Sequence, residues 1–149
     1  MRKLILCLVA LMAAPAWGED LCTRNAVKVD VCQVASNLSA SIARELPLRL
    51  TQSLVLQHIG ASSNLISMRA MFDYPEARLV EHAKGVPLDS MKASVRDNAI
   101  AMACRPKTEL QAFILMGGRL QFVYLFSDRA HFLTVDVDHC GPPPAARAS

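Results

Sequence analysis

The sequence predicts an α+β domain: a four-stranded antiparallel sheet made of two hairpins, with amphipathic helices packed on one face, in the order α-β-β-α-α-α-β-β. Three observations predict it. Residues 65–74, 120–126 and 131–139 alternate in side-chain character with the period of a strand. The segments before and between them repeat apolar residues every three or four positions, the period of a helix. Four of the five cysteines, Cys22, Cys32, Cys104 and Cys140, lie beyond residue 20 and suit a small domain braced by disulfides. A chain of 149 residues has material for one well-cored domain, and 52% hydrophobic against 19% charged residues argues against disorder.

Taken in order, Arg2 and Lys3 precede the apolar run Leu4 to Ala14, then Pro15 and Ala16-Trp17-Gly18. That is the layout of a secretory signal peptide over residues 1–18, cleaved after Gly18, and the run is shorter than the roughly 17–25 residues a spanning helix needs. Cys22 follows Glu19-Asp20-Leu21, which does not suit the enzyme that lipidates a cysteine at a cleavage site, so no membrane anchor is expected after cleavage. The expected fold occupies residues 19–140. Residues 141–149, with Pro142, Pro143 and Pro144, form a loose Pro/Ala-rich tail.

Val31, Val34, Leu38, Ile42 and Leu46 line one face of a helix that Pro47 closes. Arg49 to Ile59 reads as a strand of uncertain register, and Gly60-Ala61-Ser62-Ser63-Asn64 as a turn into a second strand, Leu65 to Tyr74. There Ile66, Met68, Ala70, Phe72 and Tyr74 share one side. Pro75 and Gly85 bracket a short helix, Glu76 to Lys84. Leu88, Met91, Val95, Ala99 and Met102 trace the stripe of a longer one ending near Cys104. Thr108 caps a third, with Leu110, Phe113 and Ile114 inward until Gly117-Gly118 stops it. Leu120, Phe122, Tyr124 and Phe126 then alternate with Gln121, Val123 and Leu125, and Ser127 to Ala130 turns the chain into a last strand. On that strand Leu133, Val135 and Val137 share one face, and Thr134, Asp136 and Asp138 the other.

Four cysteines permit three pairings. Cys22 with Cys32 and Cys104 with Cys140 is favoured: the first closes a short loop onto a helix, and the second ties the last strand to a central helix. No Cys-x-x-Cys occurs, which disfavours a thiol-exchange motif, and the cysteines lack the close spacing of zinc ligands.

Of 16 basic residues, Arg2 and Lys3 belong to the leader, so 14 remain against 13 acids. Near-neutrality excludes a general grip on nucleic acid. No catalytic set is visible either. His58, His82, His131 and His139 are scattered, and alternation sends His139 to the opposite face from Asp136 and Asp138. Ser62 lies in a turn that only partly resembles a nucleophile elbow. The chain is therefore expected to be no enzyme and to need neither metal nor cofactor. Arg69, Met71, Asp73, Asp136 and Asp138 fall on the sheet face that helices on one side would leave open, and form the candidate partner-facing surface.

An initial helix ending in Leu46-Pro47, a hairpin, a helix ending in Cys104, the turn Gly117-Gly118 into an aromatic strand with Phe122 and Tyr124, and a last strand ending in Cys140 make up a layout covering most of residues 29–140. It resembles a family of small exported, quorum-sensing-regulated bacterial virulence factors. It is also similar to the soluble core of type II secretion pilotins. The resemblance implies a non-enzymatic exported protein, secreted or periplasmic, that acts by binding another protein of the host or envelope. Pilotins ride to the outer membrane on a lipidated cysteine, whose site this sequence is expected to lack. The alternative is a periplasmic inhibitor or immunity protein directed at a cell-wall hydrolase or toxin.

Overall fold

A computed structural model describes residues 21–23, 25 and 28–141. The expected leader over residues 1–18 and the expected tail beyond Gly141 lie outside the described residues. The chain forms one sheet and several helices.

Helix α1 spans Val31–Ala43. It starts where the Asp30 carboxylate accepts a hydrogen bond from the Gln33 amide at 2.9 Å, satisfying one of the free donors of the first turn. Val31, Ala35 and Leu38 are buried along one stripe. The chain turns at a cis Leu46–Pro47 peptide into β1, Leu48–Arg49.

Strands β2, Leu54–Ser62, and β3, Leu65–Phe72, form an antiparallel hairpin. The expected five-residue turn is only two residues long, because Gly60, Ala61 and Ser62 stay in the ladder and Ser62 pairs with Leu65. Ser63 takes up the reversal at φ +55°. The uncertain register of β2 also has a cause. Between Leu56, opposite Ala70, and His58, opposite Arg69, the register shifts at Gln57, so Leu56 and Ile59 both turn inward despite their odd spacing.

The expected short helix over 76–84 is split into a 3-10 turn, Glu76–Arg78, and α2, Leu79–Ala83. Lys84 at φ +48° and Gly85 at φ +82° end it. Helix α3 spans Leu88–Ala103, and α4 spans Glu109–Leu115 with Thr108 as its cap. Two hydrogen bonds close α4, donated by the Gly117 amide to the Ile114 carbonyl and by the Gly118 amide to that of Phe113, both 2.9 Å. This is the Schellman arrangement, and it requires the left-handed conformation that Gly117 adopts at φ +93°. Strands β4, Arg119–Leu125, and β5, His131–Val137, form the second antiparallel hairpin.

The sheet corrects the sequence expectation. It has five strands in the order β1-β2-β3-β4-β5 and is mixed, because β3 and β4 pair in parallel. The two hairpins meet through their most apolar strands, and the helical segment between them supplies the long crossover that a parallel pair demands. Asn64 sets where they meet: its carbonyl accepts from the Arg119 amide at 2.8 Å, and its side-chain amide donates to the Gly117 carbonyl at 2.9 Å. The start of β4 is thereby held beside the start of β3. The fifth strand is the two-residue β1, which pairs Leu48 with Leu56 and Arg49 with Val55.

One face of the sheet, with Leu56, Ile59, Ile66, Met68, Ala70, Leu120, Phe122, Tyr124, Val135 and Val137, makes a single core with the buried residues of α1, α3 and α4. Phe113 of α4 is wholly buried there, a burial worth about 2–3 kcal/mol. At the end of the sheet where β3 and β4 finish, Phe72, Tyr74, Phe126 and Phe132 form an aromatic cluster with ring centroids 5.4 to 6.0 Å apart. Disulfides join Cys22 to Cys32 and Cys104 to Cys140.

Candidate functional site

The side chains between the core positions of the sheet build its second face. Reading the ladder across the strands, Arg49, Val55, Met71, Leu125 and His131 form one row, and His58, Arg69, Val123 and Thr134 the next. Gly60, Ser67, Gln121 and Asp136 form the third. Val55, Met71, Val123 and Leu125 are half-buried, and none of them joins the core. The buried residues of α1, α3 and α4 pack in the core against the other face.

The polar part of the face is tied together. Ser67 Oγ donates to Gln121 Oε1 at 3.3 Å, and Gln121 Nε2 donates to Asp136 Oδ1 at 3.0 Å. His131 Nε2 lies 2.9 Å from Thr134 Oγ1. The Arg49 guanidinium donates to the Gln52 carbonyl. Arg69, exposed at the middle of β3, makes no hydrogen bond or ion pair among the described residues.

The sequence-selected residues divide. Arg69 and Met71 sit on this face beside the apolar row. Asp136 is exposed two strands away, opposite Gln121. Asp73 is exposed past the end of β3, where its amide donates to the Ser53 carbonyl, so it stands at the opposite end of the sheet from Asp138. The three acids therefore do not converge. The sequence reading missed His58, Val55, Val123 and Leu125 as parts of the face. Alternation along 120–126 placed Val123 and Leu125 opposite the core; what hid them was the identity of the strands on either side.

Alternation misjudged His139. The strand stops at Val137, so side chains beyond it no longer alternate, and His139 Nδ1 donates to Asp138 Oδ1 at 2.6 Å. That hydrogen bond, with the charges of His139 and Arg119, holds the Asp138 carboxyl below the usual carboxylate range against a smaller opposing effect of desolvation. The other histidines stand apart from this pair. His58 lies over Gly60, with Nε2 3.6 Å from where a Cβ would sit, and His82 stacks on Tyr74 at 3.8 Å. Among the described residues, Cys22, Asp30 and Cys32 bring three potential metal ligands together. The two sulfurs are spent in a disulfide and the carboxylate caps α1, so the donor set does not suit a cation.

Apolar depressions among the described residues include two on the helical side. One, about 360 Å³, lies between α1 and α4 and is lined by Val34, Leu38, Ala112 and Met116 with Asn37, Ser41 and Glu109 at its edges. The other lies at the α2–α3 corner, where Val80 is 81% exposed beside Val86 and Leu88. No described helix is long and apolar enough to cross a membrane.

No family model matches the chain, and no curated protein does. Solved structures do. The pilotin EpsS of the Vibrio vulnificus type 2 secretion system superposes with a TM-score of 0.59 at 16% identity, over 75% of this chain and 93% of that one. A Pseudomonas aeruginosa protein described as secreted gives 0.52 at 15%, over 72% and 92%. The Vibrio cholerae type II secretion pilotin AspS gives 0.50 at 12%, over 72% and 87%. At such identities these likenesses establish a shared fold.

Proposed function

We propose that this protein is an exported, non-enzymatic accessory of secretion, or a secreted virulence factor of the same fold, that works by holding another protein against its open sheet face. The observation that carries this reading is the row Val55, Met71 and Leu125 with Val123 beside it: half-buried apolar side chains outside the core, on the face no described helix covers. The fold shared with two pilotins and a protein described as secreted supports the same reading. The leader over residues 1–18 and the two disulfides fit delivery to an oxidising compartment. The inhibitor alternative has no geometric feature of its own in its favour.

The test places a photo-crosslinking amino acid at Val123 in the exported protein and, as a control, at Gln33 on the exposed side of α1. A defined envelope or secreted protein should crosslink from position 123, and Met71→Lys with Leu125→Lys should abolish its co-purification while leaving the circular dichroism spectrum unchanged. Co-purification that survives both lysines would sink the assignment of the face.

A further inference from the structure

The charges on the open face and at its rim are unequally satisfied, and that inequality names the chemistry of the partner. Asp136 accepts from Gln121 Nε2, and Asp138 is held by His139 with Arg119 near it. Arg49 is engaged by a backbone carbonyl. Arg69 alone among these groups keeps all its donors unengaged by described residues, and its cross-strand neighbours are His58 on one side and Val123 on the other. Its surroundings on the face offer no carboxylate: Asp73 stands beyond the end of β3, and Asp136 is two strands away.

A guanidinium lying beside a half-buried apolar row gains most from a planar anion brought in with an apolar surface. Its five donors match a carboxylate in two parallel hydrogen bonds, and the covering apolar groups exclude the water that would weaken them. The row has a definite length. Val55, Met71 and Leu125 lie on three adjacent strands, and two strand spacings of roughly 4.8 Å span about 10 Å. In a helix, side chains seven residues apart are separated by about 10.5 Å along the axis, with a further one on the same side between them. A helix is also what covers the opposite face of this sheet.

Resting on the reading of the open face as the docking surface, we propose that the partner presents a two-turn amphipathic helix with apolar side chains at i, i+4 and i+7 over Val55, Met71 and Leu125. An Asp or Glu on its flank pairs with Arg69. The occupant is thus an acidic amphipathic segment of another protein, and a second copy of this chain is an outcome that overturns the proposal.

The experiment uses the mature, oxidised protein and two synthetic fourteen-residue helical peptides with leucines at i, i+4 and i+7. They differ only in carrying Glu or Lys at the flanking positions. Binding is followed by amide chemical shifts. The Glu peptide should shift residues of β2, β3 and β4 around Val55, Arg69 and Val123, and Arg69→Glu should weaken it by about tenfold or more. The same variant should strengthen the Lys peptide, a reversal that a structural role for Arg69 would not produce. Shifts confined to the α1–α4 groove, equal binding of both peptides, or concentration-dependent shifts from self-association would each overturn the proposal. If Arg69→Glu leaves capture of the natural partner intact while the Met71 and Leu125 lysines abolish it, the docking face stands and the carboxylate inference fails. If both sets leave capture intact, both readings fail.

Discussion

Gly117 and Gly118 show how much one residue can owe to its surroundings. Gly117 has open space where a side chain would go and serves α4 through its backbone alone. At Gly118 a Cβ would lie 2.5 Å from three carbons of the wholly buried Phe113 ring, and interiors packed like crystals leave little room for a ring to yield. Gly118→Ala should therefore lower stability by about 1–3 kcal/mol, the usual cost of overpacking, as read from the urea midpoint; an unchanged midpoint would show that the ring can move. The pair was legible in the sequence as a helix stop. That its second member answers to an aromatic ring was not, since the stop signal is local and the ring's position is set by the core. Asp138 makes a different prediction. Its folded carboxyl sits below the ordinary range because His139 donates to it, so its contribution is present above about pH 4 and is lost as pH falls through the folded value. Both groups are largely exposed, which limits that contribution to well under about 1 kcal/mol. His139→Ala should return the Asp138 titration, followed by carboxyl-carbon NMR, toward the ordinary range. A midpoint that stays put would assign the depression to something other than this hydrogen bond.

Among the elements, those whose signal is periodic were read correctly in kind: the helix starting at Val31, the strands over 65–72 and 119–125, and the hairpin closing at Ser127 to Ala130. The errors fall where a neighbour overrides the pattern. The register shift at Gln57 lets two inward residues stand three apart, and the two-residue β1 is too short to carry any period, existing only because β2 offers it an edge. Element-to-element ties also carry a stability prediction. The Cys104–Cys140 bridge joins the end of α3 to the chain just past β5 across a separation of 36 residues. Replacing both cysteines by serine should lower unfolding stability by about 4 kcal/mol in the chain-entropy account, measured on the variant with Cys22–Cys32 intact. A loss below about 1 kcal/mol would mean that the reduced chain is already constrained there.

At the scale of the whole molecule, the candidate face exists because three helices gather on one side of a sheet that a parallel junction makes continuous. Were β3 and β4 apart, Met71 and Leu125 would lie on separate edges, and Arg69 would have no apolar row beside it. The sequence by itself determined the kinds of element, their order, which side of each strand is apolar, and the supply of cysteines, because those depend on side chains close together along the chain. Only the tertiary structure decided that the two hairpins join in parallel, that a fifth strand completes the sheet, and which residues from different strands share its open face. Strand adjacency is won by long-range pairing, here fixed by Asn64 against the α4–β4 junction and by burial of the most apolar strands at the centre. Periodicity within a strand says which way a side chain points and nothing about whose backbone lies next to it.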